Sequence, residues 1–390
     1  MERRNMNIPF NIPYTSQRIV SEAVLSIQAD IFEISKRVEA LEFKMKGILE
    51  LKRVKKMYFT LSATHALEMM ALALDFKSGD EVIMPSYTYV ATANAFAKAG
   101  ARIRFADIDP LTLNIDARTV EPLVNHKTRA IVLVHYAGYP CDLEALIRIC
   151  KAHDIILLED AAHAIGVQIT SKTDAQVSLG TFGDMGCISF HATKNITSGG
   201  TGGVLFITDE KWISILDDIF NEGTNRSAFL KSEVNAYAWT AFGGVYQMNA
   251  FNMAFLCSAL DDVVKVNANR IQICRRYREA LERMDLDKYD VTLPQVDSPN
   301  GHVFYLLFQN QRKRDVFKNY LLKRGVHAHA HYEPLHQSFA SEKYGFYETT
   351  LPVTESTAQG LIRLPVYDSL SEVAINYVIE VIETYFKENI

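Results

Sequence analysis

Residues 186–200 read Gly186-Cys187-Ile188-Ser189-Phe190-His191-Ala192-Thr193-Lys194-Asn195-Ile196-Thr197-Ser198-Gly199-Gly200. The apolar first half of this stretch is typical of a buried strand, and the glycines at its end predict a loop. Lys194 therefore follows a strand end, where a cleft can remove water from its amine, lower its pKa and let it attack a carbonyl group. A Schiff-base lysine is one hypothesis. A solvated loop lysine, the more frequent kind, is the other.

An acidic residue upstream favours the first hypothesis. The apolar run Ile155–Leu158 ends in Glu159 and Asp160, which is typical of a buried strand followed by two carboxylates. Open α/β sheets bind ligands beyond the carboxyl ends of their strands, so we expect Asp160 to enter the same crevice as Lys194. A pyridoxal phosphate enzyme needs this pair, a lysine that holds the cofactor and a carboxylate that keeps the pyridine nitrogen protonated. Alternatively, Asp160 only caps a helix that begins at Ala161.

The sequence also offers a site for the cofactor's phosphate. Ser62-Ala63-Thr64 is followed by helix-forming residues from His65 onward. A helix that starts here would direct free backbone N–H groups and two hydroxyls at an anion, although Ser and Thr open many helices only as caps. Ser189 could supply another hydroxyl. Tyr87 or Tyr89, which follow a predicted strand, could stack on the pyridine ring or simply pack in the core.

Several segments, in their order and spacing, resemble the DegT-type nucleotide-sugar aminotransferases, which are pyridoxal phosphate enzymes. The resemblance extends from about Met57 to the C-terminus. The segments that carry it are Ser62–Thr64, Gly79–Tyr89, Val134–Gly138, Glu159–Ala164, Ser189–Asn195 and Arg363–Pro365. It implies an α/β, aspartate aminotransferase-like (type I) fold, with a large, mostly parallel-sheet domain and a smaller α+β C-terminal domain.

The resemblance also implies roles for individual residues. Lys194 and Asp160 would be catalytic, since Lys194 would hold the cofactor and move a proton while Asp160 paired with the pyridinium nitrogen. His163 would contact the ring hydroxyl and Tyr89 would stack on the ring. Contacts to the phosphate would come from Ser62, Ala63, Thr64 and Ser189.

Two further stretches, Glu222–Ser227 and His331–His336, most resemble the branch that aminates C4 of dTDP-4-keto-6-deoxyglucose. The implied reaction is a ping-pong transfer of the amino group of L-glutamate to this nucleotide-linked sugar, for a surface polysaccharide such as lipopolysaccharide or O-antigen. A homodimer with shared active sites is implied as well. The expected substrate contacts are Arg226, His331, Tyr332 and His336. The alternatives are a 3-aminotransferase of a dTDP-3-keto-6-deoxy sugar and a non-catalytic regulatory member of the same fold.

The N-terminal region departs from this family pattern. Relatives carry a glycine-rich loop there that borders the active site, whereas Phe10–Lys46 contains no glycine and is typical of polar helix. Thr201 stands where an acidic residue is common, and Gly243–Met248 replaces a stretch that often offers Asn and Arg to the neighbouring subunit. We therefore expect a complete cofactor site and an altered substrate site.

Composition limits the other classes of function. The chain has 390 residues and a formal net charge of −5, and its basic residues are dispersed, which argues against nucleic-acid binding. No stretch approaches the roughly 18 apolar residues of a membrane span, and the N-terminus lacks the apolar core of a signal peptide, so we expect a cytoplasmic protein. The five cysteines are odd in number and widely spaced, which argues against a disulfide framework.

Three regions are predicted along the chain. Residues 1–56 form a helical arm, amphipathic over Ala29–Leu51, residues 57–255 a large cofactor-binding domain, and residues 256–390 a small domain. Short apolar strands alternate with helices in the large domain, which indicates a parallel sheet. The main elements expected in the two domains are the strands Arg102–Phe105, Ala130–His135, Phe304–Phe308 and Val326–His331, and the helices Leu143–His153, Lys313–Lys323 and Glu372–Glu388.

Three histidines, His327, His329 and His331, alternate along the last predicted strand and would face one side. They could bind a metal, but three ligands on one strand are crowded, and no carboxylate cluster or cysteine pair accompanies them. No metal is therefore expected. A polar strand face that lines the substrate pocket is the better interpretation, and His336 would reach the same pocket.

Overall fold

The computed structural model describes residues 6–29, 33–171, 174–346 and 350–388. Within these residues the strands are β1 (Lys56–Thr60), β2 (Glu81–Pro85), β3 (Arg102–Ala106), β4 (Thr128–Val134), β5 (Ile156–Asp160), β6 (Gln168–Ser171), β7 (Asp174–Ser178), β8 (Met185–Ser189), β9 (Gly203–Ile207), β10 (Val291–Thr292), β11 (Tyr305–Phe308), β12 (His329–Ala330) and β13 (Leu361–Arg363). The α-helices are α1 (Gln17–Ala29), α2 (Ile34–Leu49), α3 (Ala63–Ala73), α4 (Val90–Lys98), α5 (Ala117–Val120), α6 (Leu143–His153), α7 (Ile213–Phe220), α8 (Arg226–Leu230), α9 (Ala250–Ala259), α10 (Val263–Leu281), α11 (Gln311–Lys323), α12 (Phe339–Tyr344), α13 (Pro352–Gly360) and α14 (Glu372–Glu388). Within the described part of the chain, no helix is long and apolar enough to span a membrane.

The largest sheet has seven strands in the order β1-β9-β8-β5-β4-β2-β3. Neighbours from β3 to β8 run parallel, whereas β9 is antiparallel to both β8 and β1. All of these strands except β9 therefore point the same way. Their carboxyl ends share one edge of the sheet, which is where a parallel sheet places its ligands.

Both faces of this sheet are covered. On β1, Met57 and Phe59 belong to one core, and Tyr58 between them belongs to a second core on the opposite face. Helices α1, α2, α6 and α9 pack in the first core, and α3, α4 and α7 pack in the second. Burial on both faces explains why β4 is continuously apolar from Ala130 to Val134 instead of alternating.

A second, antiparallel sheet orders its strands β10-β11-β13-β12. Together with α10, α11 and α14 it encloses a third core. Helix α10 joins the two units, because its Val263 and Val266 belong to the first core and its Ile273 and Tyr277 to the third. The expected division into residues 57–255 and 256–390 stays a prediction. Since its boundary falls within α9, we propose to move it into α10.

The N-terminal helices pack on the body of the protein. Arg18 of α1 forms an ion pair with Asp262 at 2.7 Å. Leu41 of α2 is fully buried in the first core. The amphipathic segment predicted over Ala29–Leu51 corresponds largely to α2, and residues 30–32 within it lie outside the described residues.

The strand predicted over Val326–His331 is much shorter in the structure, where only β12 remains. Val326 instead forms a parallel bridge with Ile8 of the N-terminal segment. The backbone N–H of Ile8 donates to Gly325 O at 2.7 Å, and the N–H of His327 donates to Ile8 O at 3.0 Å. The prediction of one continuous strand was wrong because a distant segment takes these backbone groups.

A buried carboxylate fastens the loop that precedes β8. Glu159 of β5 is 0% exposed and accepts hydrogen bonds from the backbone N–H groups of Gly180 at 3.0 Å, Phe182 at 2.5 Å and Gly183 at 2.7 Å. Nε2 of His135 lies 2.9 Å from the same carboxylate. These donors offset the cost of burying the charge and hold β5 and the start of β8 together.

We expect Glu159→Gln to lower the free energy of unfolding by roughly 2–4 kcal/mol, because an amide cannot accept from all of these donors. The measurement is the shift in the urea unfolding midpoint. Glu121→Gln, on the exposed surface, is the matched control and should shift stability by less than about 0.5 kcal/mol. Equal midpoints for the two variants would contradict the role given to Glu159.

Candidate active site

A cavity of about 640 Å³ lies at the carboxyl-end edge of the large sheet. Segments that follow parallel strands form one side of it, and the second sheet and the N-terminal segment form the other. The first side includes Ser62, Ala63 and Thr64 after β1, Tyr89 after β2, Asp160 and His163 at and after the end of β5, and Ser189 and Lys194 at and after the end of β8. The structure thus brings together all eight residues predicted for the cofactor site.

Lys194 and Asp160 both line this cavity. Burial lowers the pKa of Lys194 to about 8, an effect that Asp160 opposes and Arg363 strengthens. At neutral pH its amine is therefore unprotonated far more often than that of a solvated lysine. Asp160 is fixed by Thr92, whose Oγ1 donates to Oδ2 at 2.8 Å, and by Ala162, whose N–H donates to Oδ1 at 3.1 Å. A turn follows Asp160, so the alternative of a helix cap at this position is wrong.

The N-terminus of α3 forms the wall next to β1. Ser62 caps this helix, since its Oγ accepts from the N–H of His65 at 3.2 Å, and Ala63 and Thr64 line the cavity. A Cβ on Gly203 would lie 2.4 Å from the Ala63 nitrogen, so only glycine lets β9 approach this turn. The unpaired N–H groups of a helix start and the Thr64 hydroxyl suit a phosphate.

His163 presents one defined nitrogen to the site. Its Nδ1 accepts a hydrogen bond from the N–H of Ala137 at 3.2 Å. Ala137 has a φ of 56°, an uncommon left-handed conformation for a residue with a Cβ, and this turn directs its N–H at the ring. Burial, with a further contribution from Lys194, lowers the pKa of His163 well below its usual value. The imidazole is therefore neutral, with its proton on Nε2.

His302 was missed by the sequence analysis. Its ring centroid lies 4.2 Å from that of His163, and its Nδ1 lies 2.7 Å from Oδ1 of Asn195. The Asn195 amide nitrogen donates to Asn300 O at 2.9 Å, so its Oδ1 is the atom that faces His302. Because Oδ1 can only accept, the His302 proton is on Nδ1, and Nε2 is left as an acceptor. Asn195 directly follows Lys194, but nothing in the sequence connects it with a histidine more than 100 residues away.

Arg363, at the end of β13, was noted in the sequence only as part of a motif. It lines the cavity, and its Nε has no hydrogen-bond partner. Its guanidinium donates one long hydrogen bond, to Ala330 O at 3.5 Å, and no salt bridge joins it to any carboxylate of the described residues. Burial lowers the pKa of Arg363. A half-buried guanidinium with so few partners indicates a site for an anionic ligand.

Arg270, on α10, is a second arginine that lines the cavity, and it is buried. It was not singled out in the sequence. Its guanidinium donates to the backbone oxygens of Gly301 at 3.1 Å and His302 at 3.0 Å, so it holds the turn that carries His302. Burial lowers the pKa of Arg270 to about 10.

Two of the four predicted substrate contacts lie in the cavity. The rings of His331 and Tyr332 stack with centroids 3.6 Å apart, and both residues line the wall formed by the second sheet. Nδ1 of His331 lies 3.2 Å from the hydroxyl of Tyr136. Tyr89 is 61% exposed on the opposite rim, so a ring face is open to the cavity.

The other two predicted substrate contacts lie elsewhere. His336 is buried and does not line the cavity, because Ser86 Oγ at 2.7 Å and Glu355 Oε1 at 3.2 Å engage its two ring nitrogens. Arg226 begins α8 on the exposed surface. The prediction that His336 reaches this pocket is therefore wrong, whereas the substrate contact predicted for Arg226 stays a prediction.

The histidines that alternate near β12 do not converge. His327 Nε2 lies 3.1 Å from Asn7 Oδ1, outside the cavity, whereas the ring of His329 packs edge-on against Phe10 with centroids 4.8 Å apart. His331 faces Tyr136, as described above. Across the described residues, no group of three histidine, cysteine or acidic side chains is arranged to hold a metal ion.

The comparisons with known proteins agree with this arrangement. Residues 14–383 match the DegT/DnrJ/EryC1/StrS aminotransferase family. The chain is 27% identical over 401 aligned residues to the spore coat polysaccharide biosynthesis protein SpsC of Bacillus subtilis, with 99% of each chain covered. It is 29% identical over 324 residues to a UDP-N-acetyl-3-dehydro-alpha-D-glucosamine 3-aminotransferase of Acidithiobacillus ferrooxidans, with 82% of each covered.

Solved structures share the fold. The aminotransferase TlmJ of Streptoalloteichus hindustanus superposes with a TM-score of 0.86 at 26% identity, covering 98% of this chain and 100% of TlmJ. A putative sugar aminotransferase of Streptococcus pneumoniae, solved in a form with pyridoxal phosphate, has a TM-score of 0.84 at 23% identity, with 98% and 99% covered. The α/β, type I fold expected from the sequence is confirmed. The chain belongs to the DegT/DnrJ/EryC1/StrS aminotransferase family, whose enzymes depend on pyridoxal phosphate.

Proposed function

We propose that this enzyme transfers the amino group of L-glutamate to a nucleotide-linked 4-keto-6-deoxy sugar, with dTDP-4-keto-6-deoxyglucose as the first candidate. The observation that carries this proposal is the pair of Lys194 and Asp160 in one cavity, which is also lined by the N-terminus of a helix and by Arg363, whose guanidinium forms no salt bridge within the described residues. A lysine, a carboxylate and two separate anion sites are what amino transfer between a carboxylate donor and a sugar requires.

The residues of the site fit pyridoxal phosphate. Its ring, when bound, supplies an electron sink for the carbon that loses or gains a proton. Asp160 would hold the ring nitrogen protonated, and His163 would donate its Nε2 proton to the ring hydroxyl. The start of α3 and Ser189 would bind the phosphate, and Tyr89 would cover one face. Because its pKa is lowered, the Nζ of Lys194 would both take up and return a proton at neutral pH.

Arg363 supports a carboxylic acid as the amino donor. A guanidinium binds a carboxylate through two parallel hydrogen bonds, and the Arg363 nitrogens have little other use in the described structure. Lys194 is close enough for Arg363 to influence its pKa, so a donor carboxylate held there would lie near the reacting amine. This geometry suits an α-amino acid such as L-glutamate.

The keto sugar is chosen from the sequence resemblance, and the relatives leave a second candidate. SpsC is named for polysaccharide biosynthesis, which agrees with a surface polysaccharide as the end product. The Acidithiobacillus ferrooxidans relative is named as a 3-aminotransferase, which favours amination of C3 as the alternative. His331 and Tyr332, on the wall opposite Tyr89, are the proposed sugar contacts.

We further propose that the enzyme works as a homodimer. The segment between α7 and α9 exposes several large apolar side chains, among them Trp239 at 74%, Phe242 at 76% and Val245 at 69%. Exposed apolar residues at this density are typical of a protein interface. Arg226 belongs to the same segment, so any contact it makes with substrate would be made across the dimer.

The proposed reaction predicts a 4-amino sugar product. The enzyme, loaded with cofactor and incubated with L-glutamate and dTDP-4-keto-6-deoxyglucose, should form it together with 2-oxoglutarate, and NMR would locate the new amine on C4. An amine on C3 of the corresponding 3-keto sugar, without reaction of the 4-keto sugar, would favour the alternative. Absence of amino transfer to either sugar would contradict the proposal.

Substitutions at the catalytic pair should separate binding from turnover. Lys194→Ala should lower kcat by at least about 10³-fold, because no other described group near the site combines an amine with a lowered pKa. Asp160→Asn should still bind the cofactor but lose most activity, because an amide does not keep the ring nitrogen protonated. Circular dichroism checks that both variants fold. Normal turnover by either variant would remove the role given to that residue.

Covalent capture of pyridoxal phosphate by the cofactor-free enzyme should depend on pH in a defined way. Burial lowers the pKa of Lys194 from the usual 10.5 to about 8, so the reactive amine increases about tenfold per pH unit below pH 8 and levels off above it. Stopped-flow absorbance gives the rate of capture, and Nα-acetyllysine, whose side-chain amine is free and solvated, is the reference. Asp160→Asn removes a group that raises this pKa, so its plateau should begin at lower pH. A rate that climbs to pH 10, as for the reference, would contradict the burial of Lys194.

A further inference from the structure

The N-terminal segment is part of the active-site wall. Phe10 and Asn11 line the cavity, although both precede the first helix and lie far from the catalytic residues in sequence. The amide of Asn11 donates to Ala192 O at 3.3 Å, two residues before Lys194. The segment therefore spans from the second sheet to the loop that carries the lysine.

Both ends of this segment are held in place. At one end Ile8 is 2% exposed and pairs with Val326, and Gly325 makes the approach possible because a Cβ there would lie 1.9 Å from Met6 O. The φ of Gly325 is 75°, which also favours glycine. At the other end the hydroxyl of Tyr14 donates to Asp262 at 2.9 Å. Anchors on both sides fix the position of Phe10 between them.

Phe10 lies against Arg363. The guanidinium carbon of Arg363 is 4.6 Å from the centre of the Phe10 ring, within the range of a cation–π contact, and the same ring is nearly perpendicular to that of His329. The guanidinium therefore lies against the Phe10 ring, while its Nε remains without a hydrogen-bond partner among the described residues. A planar cation covered on its face still offers its edge, which is the side that binds a carboxylate.

We propose that Phe10 is a positioning residue of the donor site, whose ring holds the Arg363 guanidinium with its edge toward the cavity so that it binds the carboxylate of the amino donor. This inference rests on the proposed function and assigns the N-terminal segment a part in it. Without the ring, water reaches the guanidinium face, the local dielectric constant rises and the side chain gains rotamers. Each of these changes weakens carboxylate binding.

The test measures binding of glutarate, a dicarboxylic acid with no amino group, to the cofactor-loaded enzyme by isothermal titration calorimetry. Phe10→Leu keeps an apolar side chain but loses the π face and should weaken glutarate binding by roughly 5-fold. Phe10→Tyr keeps the ring and should bind as the unaltered enzyme does. Ile12→Ala, in the same segment but 42% exposed and outside the cavity, is the matched control and should have no effect.

A double-mutant cycle links the effect to Arg363. Arg363→Gln alone should weaken glutarate binding strongly, and adding Phe10→Leu should cause no further loss, because the ring acts only through the guanidinium. In the donor half-reaction, followed by absorbance, Phe10→Leu should raise the saturation constant for L-glutamate by the same factor and leave the limiting rate within about 2-fold.

Three results would overturn the proposal: unchanged glutarate binding in Phe10→Leu, an equal loss in Phe10→Tyr, or additive losses with Arg363→Gln. A merely structural role would lower the thermal midpoint and the limiting rate instead of the donor affinity alone. The glutarate measurement needs no sugar, so it remains decisive even when the enzyme fails to aminate the proposed acceptor.

Discussion

The active-site edge of the large sheet depends on the hydrogen bonds that the Glu159 carboxylate accepts. It accepts from three backbone N–H groups of the loop before β8, and Nε2 of His135 donates to it because Nδ1 of that ring accepts from the N–H of Cys141. The next residue is Asp160, and the strand whose approach is fixed by this loop leads to Lys194. A single buried carboxylate thereby sets the relative position of the two groups that we propose act on the cofactor ring. A buried ion with a full set of donors tolerates little displacement, which is what a catalytic pair requires.

A second buried carboxylate makes the equivalent connection between the two sheets. Asp107, just after β3, is 6% exposed and accepts from the N–H groups of Val353 at 3.0 Å and Thr354 at 2.8 Å, in the first turn of α13. It satisfies helix N–H groups that have no partner within their own helix. Helix α13 runs directly into β13, which ends at Arg363. This cap joins residues that are about 250 positions apart in sequence. It therefore helps to fix the position of the Arg363 guanidinium, in the second unit, relative to Lys194 in the first.

The sequence could predict those features of the fold and site that consecutive residues determine by themselves. Lys194 and Asp160 were found because strand ends and loops are written in consecutive residues, and the helices α6 and α14 begin and end where their periodicity indicates. The end of the Val326–His331 strand and the positions of His336 and Arg226 could not be found in this way, because Ile8, Ser86 and an exposed surface segment determine them. Arg363 and His302 were missed for a related reason. An arginine without a partner, or a histidine whose proton is placed by Asn195, can be recognised only when its neighbours are known.

The charges around the cavity explain why one site can serve two unlike substrates. Among the described residues that line it, Lys194, Arg270 and Arg363 are cationic and Asp160 is the one carboxylate. The histidines do not add to this charge, since burial lowers the pKa values of His163, His302 and His331 well below their usual range. Buried positive charge without counter-ions destabilises the folded state. Binding of anions such as a phosphate and a carboxylate relieves this destabilisation. The guanidinium of Arg270 donates its hydrogen bonds to backbone oxygens, whereas that of Arg363 lies against the ring of Phe10. The Phe10 ring reduces the cost of this charge without accepting a hydrogen bond from the guanidinium in a carboxylate's place. Under the proposed function, the cavity would release a carboxylate donor and then accept a sugar, whose apolar C–H faces suit its aromatic residues.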